Sequence, residues 1–157
     1  ITELLNEGRK NIAMVTLDLD VNAITERRAA FEDTLRSHGC YKQELVKTID
    51  FDSLDRVKYA MDELLELAPD AVFFSSRRVF TLAMELLSAE SVSKNPYGFT
   101  ILCFDEAKSY KSILHDKLWY IEQPVEIMAK KAFALLQDTM KREPTQTRNE
   151  FVSDLVR

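Results

Sequence analysis

The spacing of the apolar runs constrains this chain more than any other feature. Runs of strand length recur, each separated from the next by roughly one helix of amphipathic sequence. NIAMVTL (11–17) is continuously apolar, which suits a strand buried on both faces. ITERRAAFEDTLRSHG (24–39) has helical periodicity; Thr25 is placed to cap its start, and Gly39 falls just past its end. ELVKTI (44–49) reads as a second strand. Residues 52–68 read as a helix, with Val57, Met61, Leu64 and Leu65 at helical spacing, stopped by Pro69 and Asp70. AVFF (71–74) is a third strand, 77–90 a third helix, and YGFTILCF (97–104) a fourth strand behind Pro96.

The order βαβαβαβ has one main consequence. Parallel neighbours need crossovers of about a dozen residues, and each helix supplies one. The expected fold is α/β, an open, mostly parallel sheet with helices on both faces. Further on, LWYIEQP (118–124) reads as a short strand, 125–140 as a helix, 141–149 as a polar loop and EFVSDLV (150–156) as a last strand. The opening ITELLNEGRK reads as a short amphipathic helix, not a signal peptide. No run approaches the roughly 18 apolar residues of a membrane helix. The 157 residues suit one domain with a real core. The chain opens on Ile1 rather than Met, as expected of a fragment whose upstream part carries an export or DNA-binding signal.

In open α/β sheets ligands sit beyond the carboxyl ends of the strands. There stand Asp18 and Asp20, Asp50 to Asp52, Ser75 to Arg77, and Asp105 with Glu106. A dinucleotide or nucleotide site needs glycines where backbone meets phosphate. The only glycines are Gly8, Gly39 and Gly98, and none follows the first strand. A phosphoacceptor receiver shares the paired acids of LDLD but needs an Asp after the third strand, where Ser75 and Ser76 stand. Ser75 and Ser76 also lack the G-x-S-x-G setting of a nucleophile elbow. His38 sits at a helix C-terminus, where the dipole favours a cation, and His115 lies in a polar loop. His38-x-Cys40 alone is a weak metal motif. No catalytic residue, metal or cofactor is expected. A net charge of −5 argues against unaided nucleic-acid binding. The basic cluster Lys130, Lys131, Lys141, Arg142 and Arg148 reads as solvated helix-end charge. Cys40 and Cys103 need no disulfide, which makes a reducing cytoplasm the default.

Taken in order, the landmarks resemble the effector domains of LacI/GalR transcription regulators. EGRKNIAMVT resembles the family's "LGHRNIAFI" and TERRAAFEDTLRSHG its "ERLAGFRAALAEAG". DAVFFSS resembles "TAVFAAN", and FTILCFDE resembles "VSVVGFDD". LWYIEQPVEIMAKKAFALL resembles "LTTVRQPVEEMGRRAAELL", and the terminal LVR matches the closing strand. The matches cover nearly the whole chain.

The resemblance implies a periplasmic-binding-protein-like type I fold of two lobes, of which this chain holds mainly the second. Residues 9–121 and 150–157 would form that lobe; the helices at 1–8 and 125–140 would belong to a first lobe outside this sequence. It implies a small, sugar-like effector, a homodimer, and operator DNA bound through an absent headpiece, with no membrane partner. Arg27 and Asp105 would hydrogen-bond ligand hydroxyls and Phe51 would stack on the ring. The alternatives are an ion pair of Arg27 with a nearby acid, a core role for Phe51 and a turn cap by Asp105. Ser76 and Arg77 stand where the family has Asn-Asp. Arg77 either turns the preference toward an anionic ligand or is a solvated first-turn residue. Gln123 is a ligand-edge or hinge residue, or part of a simple turn. Val79, Phe80, Ala83 and Leu87 are expected to form the dimer stripe of the helix at 77–90. Val125, Met128, Ala129, Ala132, Phe133 and Leu136 make a second apolar face. The competing function is an exported solute-binding protein of the same fold.

Overall fold

The computed structural model describes residues 1–50, 54–90, 98–141 and 149–157, apart from the side chains of 87–90. Five strands, β1 (Ile12–Leu17), β2 (Val46–Ile49), β3 (Ala71–Phe74), β4 (Thr100–Phe104) and β5 (Leu118–Glu122), run parallel. A sixth, β6 (Asp154–Val156), closes the edge antiparallel to β5. The sheet order is β2-β1-β3-β4-β5-β6. The helices are α1 (Thr2–Asn6), α2 (Asn22–Ser37), α3 (Leu54–Glu66), α4 (Arg77–Glu90), α5 (Lys111–Leu114) and α6 (Val125–Met140).

Every residue of β1 and β3 is buried, as continuous apolar runs require of strands covered on both faces. Side chains alternate across the sheet. Ala13, Val15, Val72, Phe74, Ile101 and Cys103 face a core built with α3 and α4. Ile12, Met14, Phe73, Leu102 and Trp119 face Phe31 and Leu35 of α2 and Leu4 of α1. Phe31 stacks on Phe73 with ring centroids 6.0 Å apart. The α/β architecture is therefore the one expected.

Several local expectations are corrected. Helix α2 starts at Asn22, not at residue 24. Thr25 lies inside its first turn, its hydroxyl bonding back to the Val21 carbonyl, so it is not the cap. Gly39 does sit just past the helix end, at φ +67°. Residues Gln43–Leu45 form a single helical turn, which shortens the second strand to Val46–Ile49. The last strand shrinks to Asp154–Val156. Helix α1 packs on this sheet through Leu4, which is fully buried against it.

The stripe assigned to a dimer is corrected as well. Val79, Phe80 and Ala83 are fully buried in this chain's own core. Phe80 meets Phe74 and Tyr110 edge-on at 5.8 and 4.9 Å. The apolar period of α4 thus reports packing on the sheet and cannot serve a second copy; the Leu87 side chain lies outside the described residues. Helix α6 is the opposite case. None of its residues is buried, and Phe133 is 62% and Met140 78% exposed.

Candidate functional site

The sheet order reverses at β1, which has β2 on one side and β3 on the other. Helix α2, after β1, covers one face of the sheet and helix α4, after β3, the other, the arrangement in which open α/β sheets bind ligands beyond the carboxyl ends of their strands. The β1–β3 register aligns Val15 with Phe74, and the Ser75 amide continues the ladder to the Val15 carbonyl at 3.0 Å.

Arg27, in the first half of α2, reaches over this edge. Its Nη1 donates to the Ser75 carbonyl at 3.0 Å. Its guanidinium carbon lies over the Phe104 ring, 3.5 Å from the centroid. A cation over an aromatic face gains about 0.5–2 kcal/mol, more as water is excluded. Burial lowers the Arg27 pKa, and the charge of Asp105 opposes that shift. Asp105 directly follows β4 and holds φ +81°, a left-handed conformation that Asp tolerates better than most residues. One carboxylate oxygen accepts a hydrogen bond from the Gln123 side-chain amide. Gln123 itself follows β5.

Arg27, Asp105 and Gln123 are thus brought together at the carboxyl edge. Ser76 lies at the same edge, but its hydroxyl accepts from the Val79 amide at 3.4 Å and caps α4. Arg77 is exposed at the first turn of α4. Its charge reaches the Cys103 thiol, whose pKa is pushed up to about 12 by burial and by Asp105, with Arg77 opposing. Phe51 lies outside the described residues.

Two features escaped the sequence reading. Phe104 sits in an apolar run, and only strand alternation could have shown that it faces α2. The hydroxyls of Thr16 and Ser75 are both fully buried and have no hydrogen-bond partner among the described residues, and Ser75 is also the residue whose carbonyl anchors Arg27. Chemically the edge offers a fixed cation, a fixed carboxylate and an amide, a set suited to ligand hydroxyls. His38 is bound to the Thr34 carbonyl at the far end of α2, remote from this edge. Among the described residues no group of His, Cys, Asp and Glu is arranged to hold a metal, and no helix is long and apolar enough to cross a membrane.

A doubly wound sheet with charged groups at the carboxyl ends of its strands and no glycine loop there has the layout of an α/β ligand-binding domain. The sequence profile of periplasmic binding protein-like domains matches residues 1–157, and the chain belongs to that family. It is 30% identical over 146 residues to the HTH-type transcriptional regulator CelR of Thermobifida fusca, spanning 91% of this chain and 42% of that protein. The solved complex of a transcriptional regulator CelR with cellobiose superposes with a TM-score of 0.77 at 27% identity, over 98% of this chain and 47% of that one. Transcription regulator CcpA of Lactococcus lactis shares the fold, with a TM-score of 0.78 at 20% identity over 99% of this chain and 57% of that one. The chain therefore spans less than half the length of the curated relative it matches. These relatives are regulators and not enzymes, and they bear out the resemblance to LacI/GalR effector domains.

Proposed function

We propose that this chain is the effector-sensing part of a LacI/GalR-type transcription regulator. A small molecule, a sugar or sugar derivative, binds at the carboxyl edge and modulates DNA binding by a headpiece outside this sequence. The observation that carries the reading is the seating of Arg27 on Phe104 and the Ser75 carbonyl, beside Asp105. This pre-sets a cation and a carboxylate for hydroxyl groups with little ordering left to do on binding. The cellobiose bound to the CelR relative supports a sugar. Arg77 at the same edge favours a derivative carrying negative charge. The exposed face of α6 fits a helix that packs on a first lobe outside this sequence. A cytoplasmic homodimer follows from the same reading, with its interface elsewhere than on Val79, Phe80 and Ala83.

The test is calorimetric titration of the full-length protein with D-glucose, D-ribose, cellobiose, gluconate and glucose 6-phosphate. Saturable binding of one of them, weakened by Arg27→Ala, supports the reading. Binding that is indifferent to Arg27, or an operator affinity that no bound sugar changes, overturns it.

A further inference from the structure

On its α2 side the sheet ends in a polar rung, where the rungs before it are apolar. Met14 of β1 and Phe73 of β3 lie side by side in the core beneath α2. Two residues further on, alternation brings Thr16 and Ser75 to the same face. The ladder brings them there together, since Val15 pairs with Phe74 and the Ser75 amide bonds to the Val15 carbonyl. Thr48 of β2 pairs with Thr16 on the other side, and Arg28 donates to its hydroxyl at 3.4 Å. The Thr16 and Ser75 hydroxyls are fully buried and have no hydrogen-bond partner among the described residues. A buried hydroxyl left unpaired costs free energy that an apolar side chain of the same shape does not. Packing alone therefore favours valine or alanine at both positions. Yet the hydroxyls stand at the carboxyl edge, where open α/β sheets bind ligands.

Arg27 lies at the same rung. It is half-buried, its Nη1 bonds to the Ser75 carbonyl, and its guanidinium carbon sits over Phe104. The attraction to the ring is electrostatic, not a directed bond, so the guanidinium can shift across the ring while its charge stays at the edge. Neighbouring strands lie about 4.8 Å apart. One oxygen set between the two hydroxyls therefore reaches both at hydrogen-bond length, donating to one and accepting from the other.

We propose that Thr16 and Ser75 are effector-specificity residues. A slender hydroxyl arm of the ligand, such as a hydroxymethyl group, enters beneath the Arg27 guanidinium and makes the two hydrogen bonds that the free protein leaves unmade. The assignment rests on the sugar site proposed above and deepens it. The unpaired hydroxyls raise the free energy of the free protein alone, so pairing them strengthens effector binding. A site built in this way rejects an analogue that lacks the hydroxyl.

The test combines thermal melting and calorimetry on full-length Thr16→Val, Thr16→Ser and Ser75→Ala. The probes are D-glucose, D-ribose, cellobiose, gluconate and glucose 6-phosphate, with the monodeoxy derivatives of whichever binds. Without ligand, Thr16→Val and Ser75→Ala melt at or above the wild-type temperature. Each binds the sugar roughly two- to tenfold more weakly, as the loss of one hydrogen bond predicts. Thr16→Ser, which keeps the hydroxyl, keeps the affinity. One monodeoxy sugar binds the wild type more weakly by a similar factor, and Thr16→Val does not distinguish it from the parent sugar. A purely structural role would not produce that non-additivity. If Arg27→Ala weakens binding while Thr16→Val and Ser75→Ala do not, the assignment is overturned and the sugar site stands. If those two variants melt below the wild type, the hydroxyls are already paired in the free protein, and the assignment fails. If no compound in the panel binds the wild type, the sugar reading and the assignment fall together.

Discussion

Asp70 shows how one carboxylate sets where a strand begins. Its Oδ2 accepts from the amides of Lys10 and Asn11 at 2.9 and 2.8 Å, aligning β1 beside β3. Those backbone bonds hold its carboxyl below the usual range. A depressed pKa contributes stability above the unfolded value of about 4, and that stability is lost as pH falls through the folded value. Asp70→Ala should therefore lower unfolding stability by about 1.5–3 kcal/mol at pH 7, and by less at pH 3. Urea titrations at the two pH values check it; an equal loss at both would show that the charge is not involved. At the ligand edge, Asp105→Ala should weaken effector binding by about 1.5–3 kcal/mol, read by calorimetry on the full-length protein. The meeting of Arg27 and Asp105 at one edge was expected from the resemblance, with Asp105 directly after β4 and Arg27 in α2 after β1. The partner of the Ser76 hydroxyl was not legible, because a strand-to-helix turn offers a serine two partners, a ligand or the helix's own free amides, and here the amide of Val79 takes it.

Helices α4 and α6 carry apolar stripes of the same period and opposite fates. Phe80→Ala should cost about 3–5 kcal/mol, the range for emptying a buried aromatic site. Phe133→Ala in this chain should change stability by about 0.5 kcal/mol or less, as for exposed positions. Chemical denaturation of the two variants side by side measures the contrast; similar losses would mean that α6 packs on the lobe. The comparison also explains what was readable. Strand order, crossovers and parallel pairing follow from apolar run length and helix spacing, and these were visible in NIAMVTL and AVFF. Periodicity reveals that a helix buries a face but not what covers it, so the stripe of Val79, Phe80 and Ala83 was mistaken for an interface. Helix α1, five residues long, is too short to be stable alone. It forms because Leu4 is anchored on the sheet, a long-range contact with no local signature.

For the molecule as a whole, the main unpaired apolar feature among the described residues is the exposed face of α6, with Val125, Phe133, Leu136 and Met140 each more than half exposed. Burying one such side chain is worth about 1.5–3 kcal/mol. This 157-residue chain should therefore self-associate at micromolar concentration, and Phe133→Glu with Leu136→Glu should return it to monomer in sedimentation. A wild-type monomer would sink the expectation. The same layout leaves the sheet's final strand far along the chain. Strand β6 pairs antiparallel with β5, and Arg157 beyond it bonds to Glu3 and Glu7 and lies over Trp119. On the ribosome β5 emerges first, and its partner follows roughly thirty residues later, a delay of about 2–6 s at 5–20 residues per second. Throughout that interval the free edge of β5 is an unfilled row of donors and acceptors, open to a strand from a neighbouring nascent chain. A translational pause between Met140 and Asp154 would lengthen that exposure, so the rate of synthesis across this stretch becomes a determinant of how much of the protein escapes aggregation.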